Sequence, residues 1–307
     1  MTAAARPTPA AGARFLDPAV LARIGNLELL ARTVVEGFIT GLHRSAHFGV
    51  STDFAEHRPY TPGDDVRHVD WRLWARTDRY HVKEYEAETN AACTVLLDVS
   101  RSMRFASGGR VSKLDYARYL SACLLYFAQR QRDRVGLVTF DAEIRTYVPP
   151  SGRHLPIALH AIDQAEVGGA GDLARPLTQV AERLRRRGIV ALVSDLYEEP
   201  QVVRDVVHRL RGAGSDVIVF HVLDAAEREF PYDGPARFED LESAEHMPVV
   251  PEYLREQYRD LVAAHIAALG TLLGEGGVDY RLLDTSRPLD EALFDFLTAR
   301  QRMARVR

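Results

Sequence analysis

From residue 91 onward, short apolar runs alternate with amphipathic stretches, and this alternation constrains the fold more than any other feature. Thr94-Val95-Leu96-Leu97 is largely apolar on both sides, as a strand covered on both faces requires. Over about 113–130, Leu114, Ala117, Leu120, Leu124, Phe127 and Ala128 recur at helical spacing. Further strands are predicted at 135–140, 189–193, 217–220 and 278–283, with a hairpin partner for the first of them at 144–148. Helices are predicted near 153–166, 174–187, 200–212, 252–274 and 289–303. Strands alternating with helices predict an α/β fold, a mostly parallel sheet flanked by helices. The alternation breaks at 225–250, which reads as an insertion with a hairpin through Arg237–Leu241 and Pro248–Val250.

Ahead of this domain the text differs. Residues 1–14 are Ala- and Pro-rich without a period and read as a disordered tail. A helix is predicted from Asp17, with Pro18 at its first position. Val20, Ile24, Leu27, Ala31, Val34 and Phe38 lie on its apolar face, and Gly41 ends it. Residues 45–90 are dense in His, Arg, Asp, Trp and Tyr, turn at Pro62-Gly63, and end in a strand-like segment, Tyr80–Glu86. The organisation is thus a tail, an N-terminal module over 15–90, and an α/β domain over 91–307.

Composition removes several function classes. With 46% hydrophobic and 27% charged residues, a chain of 307 can bury a core, so disorder is excluded as the whole answer. A net charge of −4 gives no electrostatic reason for a nucleic-acid or anionic-membrane partner. The Arg183, Arg185, Arg186, Arg187 cluster suits a helix C-terminus, where cations are favoured. Two cysteines, Cys93 and Cys123, are too few for a disulfide framework and read as small buried hydrophobes. No run reaches the ~18 apolar residues of a membrane span. The first residues hold no apolar signal segment, so the expected compartment is the cytoplasm.

Several predicted strands run into an aspartate: Asp98, Asp141, Asp195, Asp224 and Asp284. For any one alone, a turn or helix-cap role is the simpler account. Asp98 and Asp195 carry more. In Asp98-Val99-Ser100-Arg101-Ser102, a carboxylate and two hydroxyls occupy alternate positions, so an extended segment would point all three the same way. These are hard oxygen donors, suited to Mg²⁺ or Mn²⁺ and not to Zn²⁺. Asp195 follows Ser194 at the end of a later strand, placed to accept a hydrogen bond from a metal-bound water. A site so poor in formal negative charge leaves the cation able to take one more carboxylate from another protein.

This pattern resembles the metal-ion-dependent adhesion site of the von Willebrand factor A fold. A wider match resembles the signature of the DUF58 family. It comprises Phe48-Gly49-Val50-Ser51, Phe54, the run Arg58–Arg72, Ala75-Arg76 and Val82-Lys83-Glu84-Tyr85. The resemblance spans about residues 20–300 and implies a von Willebrand A-like, Rossmann-type sheet domain with an N-terminal module. Members of that family are commonly associated with MoxR-type AAA+ ATPases, which implies a chaperone-like or assembly role. Many carry N-terminal membrane helices; no such segment is read here. The adhesion pattern also expects a threonine where this chain has Gly171. Asp172 or a water molecule is then the remaining source of that donor.

Tyr60, Asp64, Asp65, Arg67, Asp70, Trp71, Arg72 and Arg76 form the most unusual part of the signature. Two readings stand: an ion-pair network around Trp71 and Trp74 that clamps the module to the sheet, or a docking surface. His68 has no identifiable partner for acid–base work. The function expected is therefore a non-enzymatic protein-interaction module, with a MoxR-type ATPase as partner. The alternative is a metal-dependent hydrolase or phosphatase using Asp98 and Asp195. Against it, the sequence contains no D-x-D, G-x-S-x-G, H-E-x-x-H or G-x-x-x-x-G-K-[ST] motif in a position to support one.

Overall fold

The computed structural model describes residues 17–44, 57–60, 71–83, 91–184, 188–241, 245–290 and Ala292, Leu293 and Phe296. At the N-terminal end, α1 (Pro18–Leu21) and α2 (Leu27–Arg44) are separate, where the apolar period predicts one helix. The break has a local cause: the Asn26 side chain accepts the Leu29 N–H at 2.9 Å and caps a new helix. Gly41 does not end α2, which runs on to Arg44; an interior glycine costs only about 1 kcal/mol. Next come β1 (His57–Pro59), α3 (Trp71–Thr77) and β2 (His81–Lys83), with β1 and β2 paired antiparallel. Of the predicted strand 80–86, residues 84–86 lie outside the described residues. So does the predicted tail.

The rest builds one sheet and its cover. In chain order it comprises β3 (Ala92–Asp98), a 3₁₀ turn (Arg101–Arg104), α4 (Lys113–Arg130), β4 (Arg134–Phe140) and β5 (Ile144–Ser151). Then follow α5 (Leu155–Asp163), α6 (Ala174–Arg183), β6 (Gly188–Ser194), α7 (Pro200–Gly212), β7 (Asp216–Leu223) and α8 (Ala225–Glu229). The chain continues through β8 (Ala236–Glu239), β9 (His246–Val249), α9 (Pro251–Glu275) and β10 (Asp279–Asp284). The six-stranded sheet has the order β10-β7-β6-β3-β4-β5. All neighbours are parallel except β5, which lies antiparallel beside β4 at one edge. Counting β3 as first, the order reads 3-2-1-4-5-6, the doubly wound arrangement whose switch point falls between β3 and β6.

The pleat sends alternate β3 side chains to opposite cores. Cys93, Val95 and Leu97 join α4, α5 and Phe296 on one face, while Leu96 joins α6, α7 and α9 on the other. Leu30, Ala31, Val34 and Val35 of α2 belong to the first of these cores, so α2 packs into the sheet domain. Cys93 and Cys123 are fully buried free thiols, and burial pushes the Cys123 thiol well above its ordinary range. Two glycines are required by close approach. A Cβ on Gly188 would overlap the Ala92 carbonyl oxygen across the β3–β6 pair, and one on Gly136 would meet Pro150 Cγ at 2.9 Å. Pro149 and Pro150 thus sit on the edge strand at an irregularity in the β4–β5 register. The insertion after β7 holds α8 and the β8–β9 hairpin, pinned by Phe230, which stacks on Phe238 and lies 4.5 Å from the Tyr258 ring. Among the described residues no helix is long and apolar enough to cross a membrane.

Candidate functional site

Asp98 ends β3 at the switch point, where the two halves of the sheet part. Its Oδ1 accepts the Ser100 N–H at 2.8 Å and its Oδ2 accepts the Ser194 hydroxyl at 2.6 Å. The Ser100 and Ser102 hydroxyl oxygens stand 3.1 Å apart. Their convergence corrects the expectation of an extended segment: Ser102 lies in the Arg101–Arg104 turn, and that turn carries its hydroxyl back to Ser100. Asp98, Ser100, Ser102 and Asp195 are all buried. Burial first, and then the charge of Asp195, push the Asp98 carboxyl up to about 7, against the hydrogen bonds from Ser194 and Ser100.

Asp195 is already engaged. Its Oδ2 lies 2.7 Å from Lys113 Nζ, and the same ammonium lies 2.6 Å from Glu227 Oε1. Lys113 has no exposure at all and lies over the Tyr197 ring at 4.7 Å and the Phe105 ring at 5.9 Å. Burial would strip its proton, yet Asp195 and Glu227 more than offset this and hold the ammonium above its usual range. Glu227 is fixed in turn by the Tyr197 hydroxyl at 2.7 Å and the Asp224 N–H at 2.8 Å. Sequence reading did not assign Lys113 to the site. The one available signal was its rarity, since lysine occurs only at Lys83 and Lys113.

The loop opposite brings Gly171 to the serines. A Cβ there would stand 3.2 Å from Ser100 Cβ and 3.6 Å from its hydroxyl oxygen, so a side chain at 171 would face Ser100. Glycine supplies no side-chain oxygen there. This loop is tied to the Asp98 loop by Gly168 N–H to the Val99 carbonyl (2.6 Å) and Arg101 N–H to the Gly169 carbonyl (2.9 Å). Asp141 holds the loop from the far side, accepting the Gly169 N–H at 2.9 Å and Arg145 Nε at 2.7 Å. The Asp172 carboxylate is exposed and accepts the Ala174 N–H at 2.9 Å, in the first turn of α6. Asp224 caps α8 and accepts the Ser107 hydroxyl, and Asp284 accepts the Ser286 N–H, the turn and cap roles expected of strand-end acids.

Asp98, Ser100 and Ser102 offer hard oxygens in one small space, which fits Mg²⁺ or Mn²⁺ with water filling the remaining positions. Among the described residues no three His, Cys, Asp or Glu side chains form a metal-binding group. Elsewhere, the signature segment shows an aromatic cluster. Trp74 stacks on Tyr80 at 5.9 Å, Trp71 meets both edge-on, and Tyr60 lies 6.3 Å from Tyr80. Trp71 and Arg76 are exposed. Asp64, Asp65, Arg67, Asp70 and the Arg72 side chain, expected in a network there, lie outside the described residues.

A doubly wound sheet with an antiparallel third strand, and a D-x-S-x-S loop at its switch point, defines a von Willebrand A-like domain. The chain belongs to the DUF58 family, a protein family of unknown function whose model matches residues 56–268. It is 30% identical over 298 residues to the uncharacterized protein Rv1480 of Mycobacterium tuberculosis, covering 94% of this chain and 92% of that one. Among solved structures it is similar to the conserved hypothetical protein BatB from Bacteroides thetaiotaomicron. That match has 14% identity and a TM-score of 0.43, covering 69% of this chain and 99% of that one. It is also similar to the SpRpn10 VWA domain, at 13% identity and a TM-score of 0.39, covering 66% of this chain and 93% of that one.

Proposed function

We propose that the protein acts by binding another protein at the carboxyl edge of its sheet. In this reading Asp98, Ser100 and Ser102 hold Mg²⁺ or Mn²⁺, and Asp195 reaches the ion through water. The observation that carries it is the meeting of one buried carboxylate and two buried hydroxyls at the switch point. Lys113 offsets the charge of Asp195, so the ion would face few formal negative charges and keep its affinity for a partner's carboxylate. Water fills the place opposite Gly171, because Asp172 is committed to α6. Membership of the DUF58 family makes a MoxR-type AAA+ ATPase the partner of choice, with the Tyr60–Arg76 segment as a second contact. The internal hydrogen bonds on both Asp98 oxygens suit a fixed ligand better than an attacking nucleophile.

Calorimetric titration of chelator-stripped protein with Mg²⁺ and Mn²⁺ tests the site. Saturable binding is expected in the wild type and none in Asp98→Ala. A folded wild type that takes up neither ion sinks the metal part of this reading. Capture of the ATPase by the wild type but not by Asp98→Ala, with metal present, is the expected result for the partner.

A further inference from the structure

We infer that Lys113 is a built-in cation that sets the metal affinity of this site: by occupying the charge of Asp195, it holds divalent binding weak. The inference rests on the proposed metal site and concerns a residue outside its ligand set. Lys113 begins α4, and its side chain runs fully buried to a point between Asp195 and Glu227. It has nowhere to swing. The Tyr197 and Phe105 rings flank the ammonium, and Glu227 is itself held by Tyr197 and the Asp224 N–H.

The electrostatic consequence follows from placement. Asp195 directly follows Ser194, whose hydroxyl meets Asp98 Oδ2 at 2.6 Å, so the second acid stands next to the first and carries Lys113 Nζ at 2.7 Å. An ion bound at Asp98 therefore also lies in the field of Asp195 and of the ammonium paired with it. The ammonium offsets the attraction Asp195 would exert and repels the ion, in buried surroundings that screen poorly. The same pairing lets the site stand without metal, since each acid has an internal partner: Lys113 for buried Asp195 and half-buried Glu227, hydroxyl and amide donors for Asp98. The protein alone then binds the ion weakly, and a partner's carboxylate adds the charge that tightens it. Lys113 thus acts on the ion through Asp195 and sets how tightly the protein alone holds it.

The test compares the wild type, Lys113→Met and Lys113→Arg, each full-length and chelator-stripped, by Mn²⁺ calorimetry and by melting with and without Mn²⁺. Lys113→Met is expected to bind Mn²⁺ at least about tenfold more tightly, the order of effect of one unit charge across a partly screened site. Its melting temperature should gain more from Mn²⁺ than that of the wild type. Lys113→Arg keeps the charge and should keep the weak affinity. A merely structural tie predicts the opposite sign, with binding weakened in Lys113→Met. If Lys113→Met is unfolded in chelator, Mn²⁺ should restore its fold by replacing the lost counter-charge; failure to do so at millimolar Mn²⁺ overturns the inference. Equal affinity in wild type and Lys113→Met overturns the inference alone. Absence of binding in both removes the metal site and the inference with it.

Discussion

Asp98 and His221 are both buried and titrate in opposite senses. Burial, and then His265, push the His221 imidazole down to about 3, while Asp98 is pushed up to about 7. Unfolded, these groups titrate near ~6.5 and ~3.9. Between about pH 4 and pH 6.5 the unfolded chain therefore holds an extra proton at His221, and the folded chain an extra one at Asp98. Without metal the two effects nearly cancel in this window. His221→Gln should leave a protein that grows more stable as pH falls from 7 to 4. Asp98→Asn should leave one that loses stability as pH falls through 6.5. Each slope approaches about 1.4 kcal/mol per pH unit at most. Urea unfolding in chelator across this range measures them, and parallel slopes in the two variants would refute the assignment. At this scale, the position of Asp98 and Asp195 at strand ends and the nearness of Ser100 and Ser102 were legible because strand ends and short spacing are local properties. Lys113 was not, since 82 residues separate it from Asp195 and only the packing of α4 against the sheet joins them.

Among the elements, β3 and β6 approach tightly at a residue with no side chain, Gly188 beside Ala92. A methyl group at Gly188 would strike the Ala92 carbonyl oxygen, so Gly188→Ala must shift one strand against the other. The expected cost is about 1–3 kcal/mol, as for other overpacked positions, read as a lowered urea midpoint. Gly152→Ala, with open space around its Cβ, should stay close to the wild type. The strands β3, β4, β6 and β7 were legible because burial on both faces demands near-continuous apolar runs. The break between α1 and α2 was hidden, because Ile24, Leu27 and Ala31 keep the helical period across it and only the Asn26 cap interrupts it. α3 was also missed: seven residues carrying two tryptophans give too little period to read.

On the scale of the whole molecule, α2 lies before the part of the chain matched by the family model, yet its apolar face lies in the same core as β3 and α4. Leu30→Ala should therefore lower the stability of the entire sheet by about 2–5 kcal/mol, as core truncations do. Far-UV circular dichroism in denaturant should show one transition displaced as a unit. An unchanged main transition preceded by a small early one would mean that α2 is a separable appendage. The antiparallel third strand has a different kind of consequence. β5 forms one rim of the sheet, and Pro149 and Pro150 have no N–H to offer there. Successive N–H groups of a strand face opposite edges, so one of the two prolines deprives a neighbouring chain of a donor on the rim where it would extend the sheet. In a crowded cell, this border of the molecule resists templated stacking.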